Sequence, residues 1–298
     1  WMTLIGLGAC HAPHQAPKEL ISHYDSIFSR GWDIERSERL ERQIALGIVP
    51  PGTQLPLRND FVEAWDELDD ITRQVATRLQ AAYAAMLHHS DVHLARLIDH
   101  LELSGQLDNT VIMVLSDNGA SQEGGPLGFV NAMGPYNGLP ESIEAKFNRI
   151  DDIGGPDTHS NFPWGWAMTA NTPLRRYKQN THGGGVRDPL VVHWPSKIID
   201  PGLRDQFCHA SDVVPTLLDL IKVTAPETIN GVQQKPIEGV SFASTLTDRY
   251  AQTGKTTQYF EMFGHRGLVH DGWKAVAFHL PGTPYEHDQW ELFNLVDD

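Results

Sequence analysis

Asn109-Thr110-Val111-Ile112-Met113-Val114-Leu115-Ser116-Asp117-Asn118-Gly119 is the stretch on which the fold turns. Five apolar residues run without alternation and break into Ser, Asp, Asn and Gly, as expected of a strand covered on both faces in a parallel sheet. Upstream, from about Asp60 to Leu103, apolar residues recur at spacings of three and four (Ile71, Val75, Leu79, Ala82, Met86, then Val92, Leu94, Leu97, Ile98 and Leu101), which predicts one long helix that Gly105 ends. Downstream, Leu190 to Trp194 repeats the buried-strand pattern and Asp212 to Ile221 repeats the helical one. This alternation predicts an α/β fold, a mostly parallel sheet with helices on both faces.

The segments around this frame differ in character. Residues 18 to 58 are polar, with helical stretches at Lys18 to Phe28 and Ile34 to Gly47 interrupted by Pro50, Pro51, Gly52 and Pro56, a surface excursion. Ala120 to Gly185 is rich in Gly, Pro, Asn and Trp and lacks periodicity. A connection of that length usually carries function. Beyond Pro236 the pieces are short and strand-like; Leu268 to His270 and Trp273 to Phe278 flank Asp271-Gly272, a hairpin signal, and Trp290 to Leu295 reads as a further strand. A boundary follows, with residues 1–245 belonging to the α/β domain and residues 246–298 forming a small antiparallel subdomain that is cut short. A chain that opens on Trp1 and stops in Asp297 and Asp298 without a closing element reads as a fragment.

Among the 298 residues, 38 are acidic and 23 basic, a formal charge of -15. A field of that sign repels phosphate backbones and anionic membranes, which argues against nucleic acid as a partner. No run approaches the ~18 apolar residues of a membrane helix, and Trp1 to Gly8 lacks the basic flank and length of a signal peptide. Two cysteines, Cys10 and Cys208, build no disulfide framework. Compartment stays open, with the bacterial cytoplasm ahead of the periplasm, and oligomeric state stays open as well.

Three clusters are able to carry chemistry. Asp117 and Asn118 leave the carboxyl end of the first strand, where open α/β sheets place ligands. Their adjacent oxygens suit two corners of a Ca²⁺ site or, equally, a turn in which both side chains serve the backbone. Lys178, His182 and the triplet Gly183 to Gly185 can close on an anion or form a plain surface loop. In Cys10-His11-Ala12-Pro13-His14, a Cys beside His invites a thiol nucleophile or metal ligand, against the commoner inert cysteine. His89 and His93, four apart on the long helix, and the acids of Asp60 to Asp70 read as solvated faces. Phe162, Trp164 and Trp166 suit either aromatic contact with a ligand or packing under the long loop.

In this order the motifs resemble the sulfatases of the alkaline-phosphatase superfamily, bacterial arylsulfatases above all. That family shows an Ala-Pro-His-x-Pro segment, here Ala9 to Pro13; a strand ending in Ser-Asp-Asn-Gly, here Ser116 to Gly119; Asn-Thr-Pro-x-Arg with a following Lys and Gly-Gly, here Asn171 to Lys178 with Gly184 and Gly185; Pro215 to Asp219; and Gly272 to Lys274. The resemblance implies an alkaline-phosphatase-like fold, of which this chain carries the second half of the sheet, and Ca²⁺-assisted hydrolysis of a small-molecule sulfate ester by a formylglycine nucleophile. By position, Asp117 and Asn118 match metal ligands, Lys178 the lysine on the sulfate oxygens, and His11 the histidine that contacts sulfate and protonates the leaving oxygen; His182 ranks behind Lys178 as a substrate contact. The departures are specific. No Cys or Ser followed by x-Pro/Ala-x-Arg occurs, because His14 stands where Arg belongs, and the paired N-terminal aspartates are missing. The expectation is a C-terminal portion of a sulfatase, inactive by itself and a weak metal binder. Two rivals remain: a phosphodiester or phosphonate ester hydrolase of the same superfamily, and a truncated paralogue serving as a binding or structural module.

Overall fold

The computed structural model describes residues 1–296, so Asp297 and Asp298 lie outside the described residues. The chain forms two compact units, one of Trp1–Leu103 and Asn118–Arg187, the other of Ser104–Asp117 and Asp188–Asp298.

In the first unit, helix α1 (Lys18–Phe28) and helix α2 (Trp32–Ala45) lead to the 34-residue helix α3 (Asp70–Leu103). The predicted start near Asp60 ran ten residues too early. Asp69 accepts a hydrogen bond from the Thr72 backbone N–H at 2.7 Å and so caps the helix at Asp70. Burial concentrates in its first half, where Val75, Leu79, Ala81, Ala82 and Ala85 are inaccessible, and α1 packs along it. Short helices α4 (Met133–Tyr136), α5 (Ile143–Phe147), α6 (Trp164–Ala170) and α7 (Gly183–Val186) punctuate the long loop. Trp166 of α6 meets Trp32 and Trp65 edge to face, with centroids 5.9 and 5.8 Å away, and its indole N–H donates to the Ala76 carbonyl at 3.0 Å. This satisfies the polar end of a fully buried ring. Gly165 is required beside it, because a Cβ there would lie 2.4 Å from the Trp32 ring.

In the second unit, strands β1 (Ile112–Leu115) and β2 (Leu190–His193) pair from Ile112↔His193 to Leu115↔Leu190. The pairing is antiparallel, which corrects the parallel arrangement expected of these two strands. An unbroken apolar run reports burial and carries no information on strand direction, which the path between the strands sets. The expectation that both faces are covered fails as well: Val114, Leu115 and Val191 are 44, 46 and 60% exposed. Helix α8 (Val213–Ile221) follows, anchored by buried Asp212, which accepts from the backbone N–H groups of His209 and Val240 and pairs with Lys255 at 3.4 Å. Two-residue strands β3 (Thr228–Ile229) and β4 (Val232–Gln233) form a ribbon, helix α9 (Ala243–Thr247) comes next, and β5 (Thr257–Met262), β6 (His265–His270), β7 (Trp273–Ala277) and β8 (Trp290–Asn294) make a four-stranded antiparallel sheet. Its β6–β7 turn is the predicted Asp271-Gly272, both at positive φ (45° and 82°), as the tight turn matching strand twist requires. The α/β class and the small antiparallel C-terminal sheet stand as read.

Candidate functional site

His14 fixes the segment that presents His11. Its ring is buried, stacked on Phe162 with centroids 5.0 Å apart, and its backbone exchanges bonds with Ser160: His14 N–H donates to the Ser160 carbonyl at 3.0 Å, and the Ser160 hydroxyl donates to the His14 carbonyl at 2.8 Å. Burial, then the nearby His11, push the His14 imidazole down to about 3, so it is neutral in the fold. Three residues earlier the His11 side chain is 66% exposed. Its Nδ1 donates to the Ala12 carbonyl at 2.8 Å, since a carbonyl only accepts, and this leaves the Nε2 lone pair as the acceptor.

Lys178 fills that lone pair. Its ammonium lies 3.1 Å from His11 Nε2 and 2.9 Å from Glu123 Oε2, with Glu123 Oε2 4.0 Å from His11 Nε2. Two side chains 167 positions apart in the chain thus meet. Burial raises the Glu123 carboxyl, and hydrogen bonds from Lys178 and Ser121 with the Lys178 charge outweigh it, holding the group below its ordinary range. The Lys178 and Glu123 side chains are 19 and 27% exposed, so the pair is partly shielded from solvent.

The backbone beneath Lys178 is braced from several sides. Arg176 and Gln179 sit at positive φ (71° and 74°), an uncommon state for side-chain-bearing residues that concentrates at functional sites. Asn171 accepts from Ala120 N–H at 2.9 Å and donates to the Arg176 carbonyl at 3.1 Å, and Lys178 N–H donates to the Ala120 carbonyl at 3.0 Å. Gly119 N–H donates to the Gly185 carbonyl at 3.2 Å, and a Cβ on Gly119 would lie 1.7 Å from the Gly184 carbonyl oxygen. The glycines therefore let backbone approach backbone, locking the start of the long loop onto the Lys178 turn.

The resemblance also implied His182, Asn118 and Asp117. His182 is buried at the start of α7. Asn118 is half-buried in the first unit, and Asp117 is exposed in the second, at the end of β1. Ser116 N–H donates to the Pro189 carbonyl at 3.3 Å, which continues the β1–β2 register and sets Asp117 opposite Asp188. Burial and the Asp117 charge push the Asp188 carboxyl up to about 7, with Lys274 pulling it back. Asp117 and Asn118 present hard oxygen donors of the kind Ca²⁺ prefers, in number short of a shell of six to eight, and among the described residues no group of three or more His, Cys, Asp or Glu gathers to hold a metal. Burial raises the Cys10 thiol to about 11, which makes it a poor nucleophile. His89 and His93 lie exposed on α3. Phe162 and Trp166 belong to the core, with Trp164 packed against it. Glu123 is not singled out by the sequence; the one available signal was an acid eight residues past the end of β1.

The sulfatase family model matches residues 1–223. The chain belongs to the sulfatase family. A second model, the C-terminal region of N-sulphoglucosamine sulphohydrolase, matches residues 177–298. Relatives of this sulfatase-family chain include an uncharacterized sulfatase of Schizosaccharomyces pombe, 30% identical over 97% of the chain and 51% of that protein, and an arylsulfatase of Klebsiella aerogenes, 26% identical over 81% of the chain and 50% of that protein. The crystal structure of Ps i-CgsB superposes with a TM-score of 0.50 at 18% identity, over 96% of the chain and 42% of its partner, in keeping with the alkaline-phosphatase-like α/β fold. The chain spans about half the length of the curated relatives it matches. Among the described residues no helix is long and apolar enough to cross a membrane.

Proposed function

We propose that the whole protein is a sulfuric ester hydrolase of the arylsulfatase type acting on a small-molecule sulfate monoester, with His11 and Lys178 as its anion-binding and proton-handling pair. The observation that carries this reading is the 3.1 Å approach of the Lys178 ammonium to His11 Nε2. Lys178 offers a compact positive charge to the sulfate oxygens. When the Lys178 ammonium turns from His11 to the sulfate oxygens, Nε2 is released to take up a proton from solvent and deliver it to the departing alcohol or phenol oxygen, while the Nδ1 bond to Ala12 holds the ring, a task for which an imidazole suits neutral pH. His182 is proposed only as a secondary support of this loop, being buried. A bound Ca²⁺ supplies positive charge at the sulfate oxygens, and Asp117 and Asn118 are proposed as two of its oxygen donors. The formylglycine nucleophile belongs to the same proposal and has no encoding motif within these 298 residues. The domain boundary at residues 245/246 is likewise proposed. The test is hydrolysis of an aryl sulfate by the whole protein, where Lys178→Ala and His11→Ala should each lower kcat/KM by about a hundredfold or more. Turnover of a phosphodiester with sulfate esters untouched points to the superfamily rival and overturns the reading.

A further inference from the structure

Glu123 is tied at both carboxylate oxygens. Oε2 accepts from Lys178 Nζ and from the Ser121 hydroxyl, each at 2.9 Å, and Oε1 accepts from the Gln179 amide at 3.1 Å. The carboxylate is therefore fixed against the ammonium. The Lys178–Glu123 pair sums to no net charge: Lys178 contributes plus one and Glu123 minus one.

Such a subsite discriminates by ligand charge. A sulfate monoester carries one negative charge, and a phosphate monoester carries close to two at neutral pH. An anion oxygen on the free side of Lys178 Nζ lies roughly two hydrogen-bond lengths, about 5 Å, from Glu123. Each further negative charge placed there meets an opposing carboxylate instead of an uncompensated lysine. At an effective dielectric of about 20 to 40 that repulsion is a factor of about ten to a few hundred in affinity.

We propose that Glu123 is a specificity-determining residue, which offsets the Lys178 charge and sets the His11–Lys178 subsite for singly charged esters against doubly charged ones. The inference rests on the anion-binding reading of that pair. It is tested by calorimetric titration of the whole protein with two non-hydrolysable anions, benzenesulfonate with one charge and phenylphosphonate with two, above the second phosphonate ionisation. Glu123→Gln keeps the shape of the side chain and removes its charge; it should strengthen phenylphosphonate binding about tenfold relative to benzenesulfonate, while Glu123→Asp keeps the parent ratio. A ratio in Glu123→Gln within about twofold of the parent overturns the inference, even if both affinities fall together as a purely structural role would have it. Lys178→Ala separates the two layers of argument: if it weakens both ligands while Glu123→Gln leaves the ratio alone, the anion site stands and the role of Glu123 falls. If Lys178→Ala binds both ligands like the parent, or the parent binds neither, the site reading fails and takes this inference with it.

Discussion

Gly119→Ala should destabilise the first unit and loosen the Lys178 turn. The added Cβ would stand 1.7 Å from the Gly184 carbonyl oxygen and 2.7 Å from its carbon, backbone atoms that no rotamer change moves. Gly119 must retreat, and its 3.2 Å hydrogen bond to the Gly185 carbonyl breaks. Overpacking costs about 1–3 kcal/mol and the lost bond about 1 kcal/mol, for a sum of about 2–4 kcal/mol. At about 2–4 °C per kcal/mol for a domain of this size, the melting temperature falls by roughly 5–15 °C. Scanning calorimetry of the whole protein reads this directly. Gly8→Ala is the matched control, since nothing lies within 4 Å of its added Cβ, and it should leave the transition in place. A Gly119→Ala transition within about 1 °C of the parent would refute the backbone packing described for this turn.

His14 makes stability depend on pH. Its imidazole is pushed down to about 3 in the fold, against about 6.5 unfolded, so the folded state binds fewer protons between those values. The contribution is complete above about pH 6.5 and drains away as pH falls toward 3, at up to about 1.4 kcal/mol per unit. Urea unfolding at pH 7 and pH 5 should therefore differ by about 2 kcal/mol from this residue, and His14→Phe should remove that difference; equal pH dependence in both proteins would contradict it. For Cys10, raised to about 11, alkylation at pH 8 should run at least about a hundredfold slower than for an ordinary thiol, and Cys10→Ala should leave activity unchanged. Labelling read by mass spectrometry checks the first, and loss of turnover in Cys10→Ala would restore a catalytic thiol.

Local chemistry was legible in the sequence wherever it acts within a few residues. Helix α1 runs over the predicted Lys18–Phe28, where apolar spacing follows Pro17, and the β6–β7 hairpin turns at Asp271-Gly272 because two consecutive residues must take positive φ. What depends on distant partners was not legible. The direction of β1 against β2 follows from the path of a 74-residue connection, which the composition of Val111 to Leu115 does not encode. The meeting of His11 with Lys178 came through family resemblance, since no periodicity spans 167 positions. Glu123 was missed for the same reason: a carboxylate in a glycine-rich loop is unremarkable until folding sets an ammonium 2.9 Å away.

Whether His11 and Lys178 together receive a sulfate group is read by an NMR titration of the whole protein with inorganic sulfate, following the His11 ring nitrogens. Sulfate should give a saturable shift at Nε2 with Nδ1 little moved, because Nδ1 stays bonded to the Ala12 carbonyl, and that shift should be lost in Lys178→Ala. Ring nitrogens that do not respond to sulfate, or that respond equally without the lysine, would contradict it.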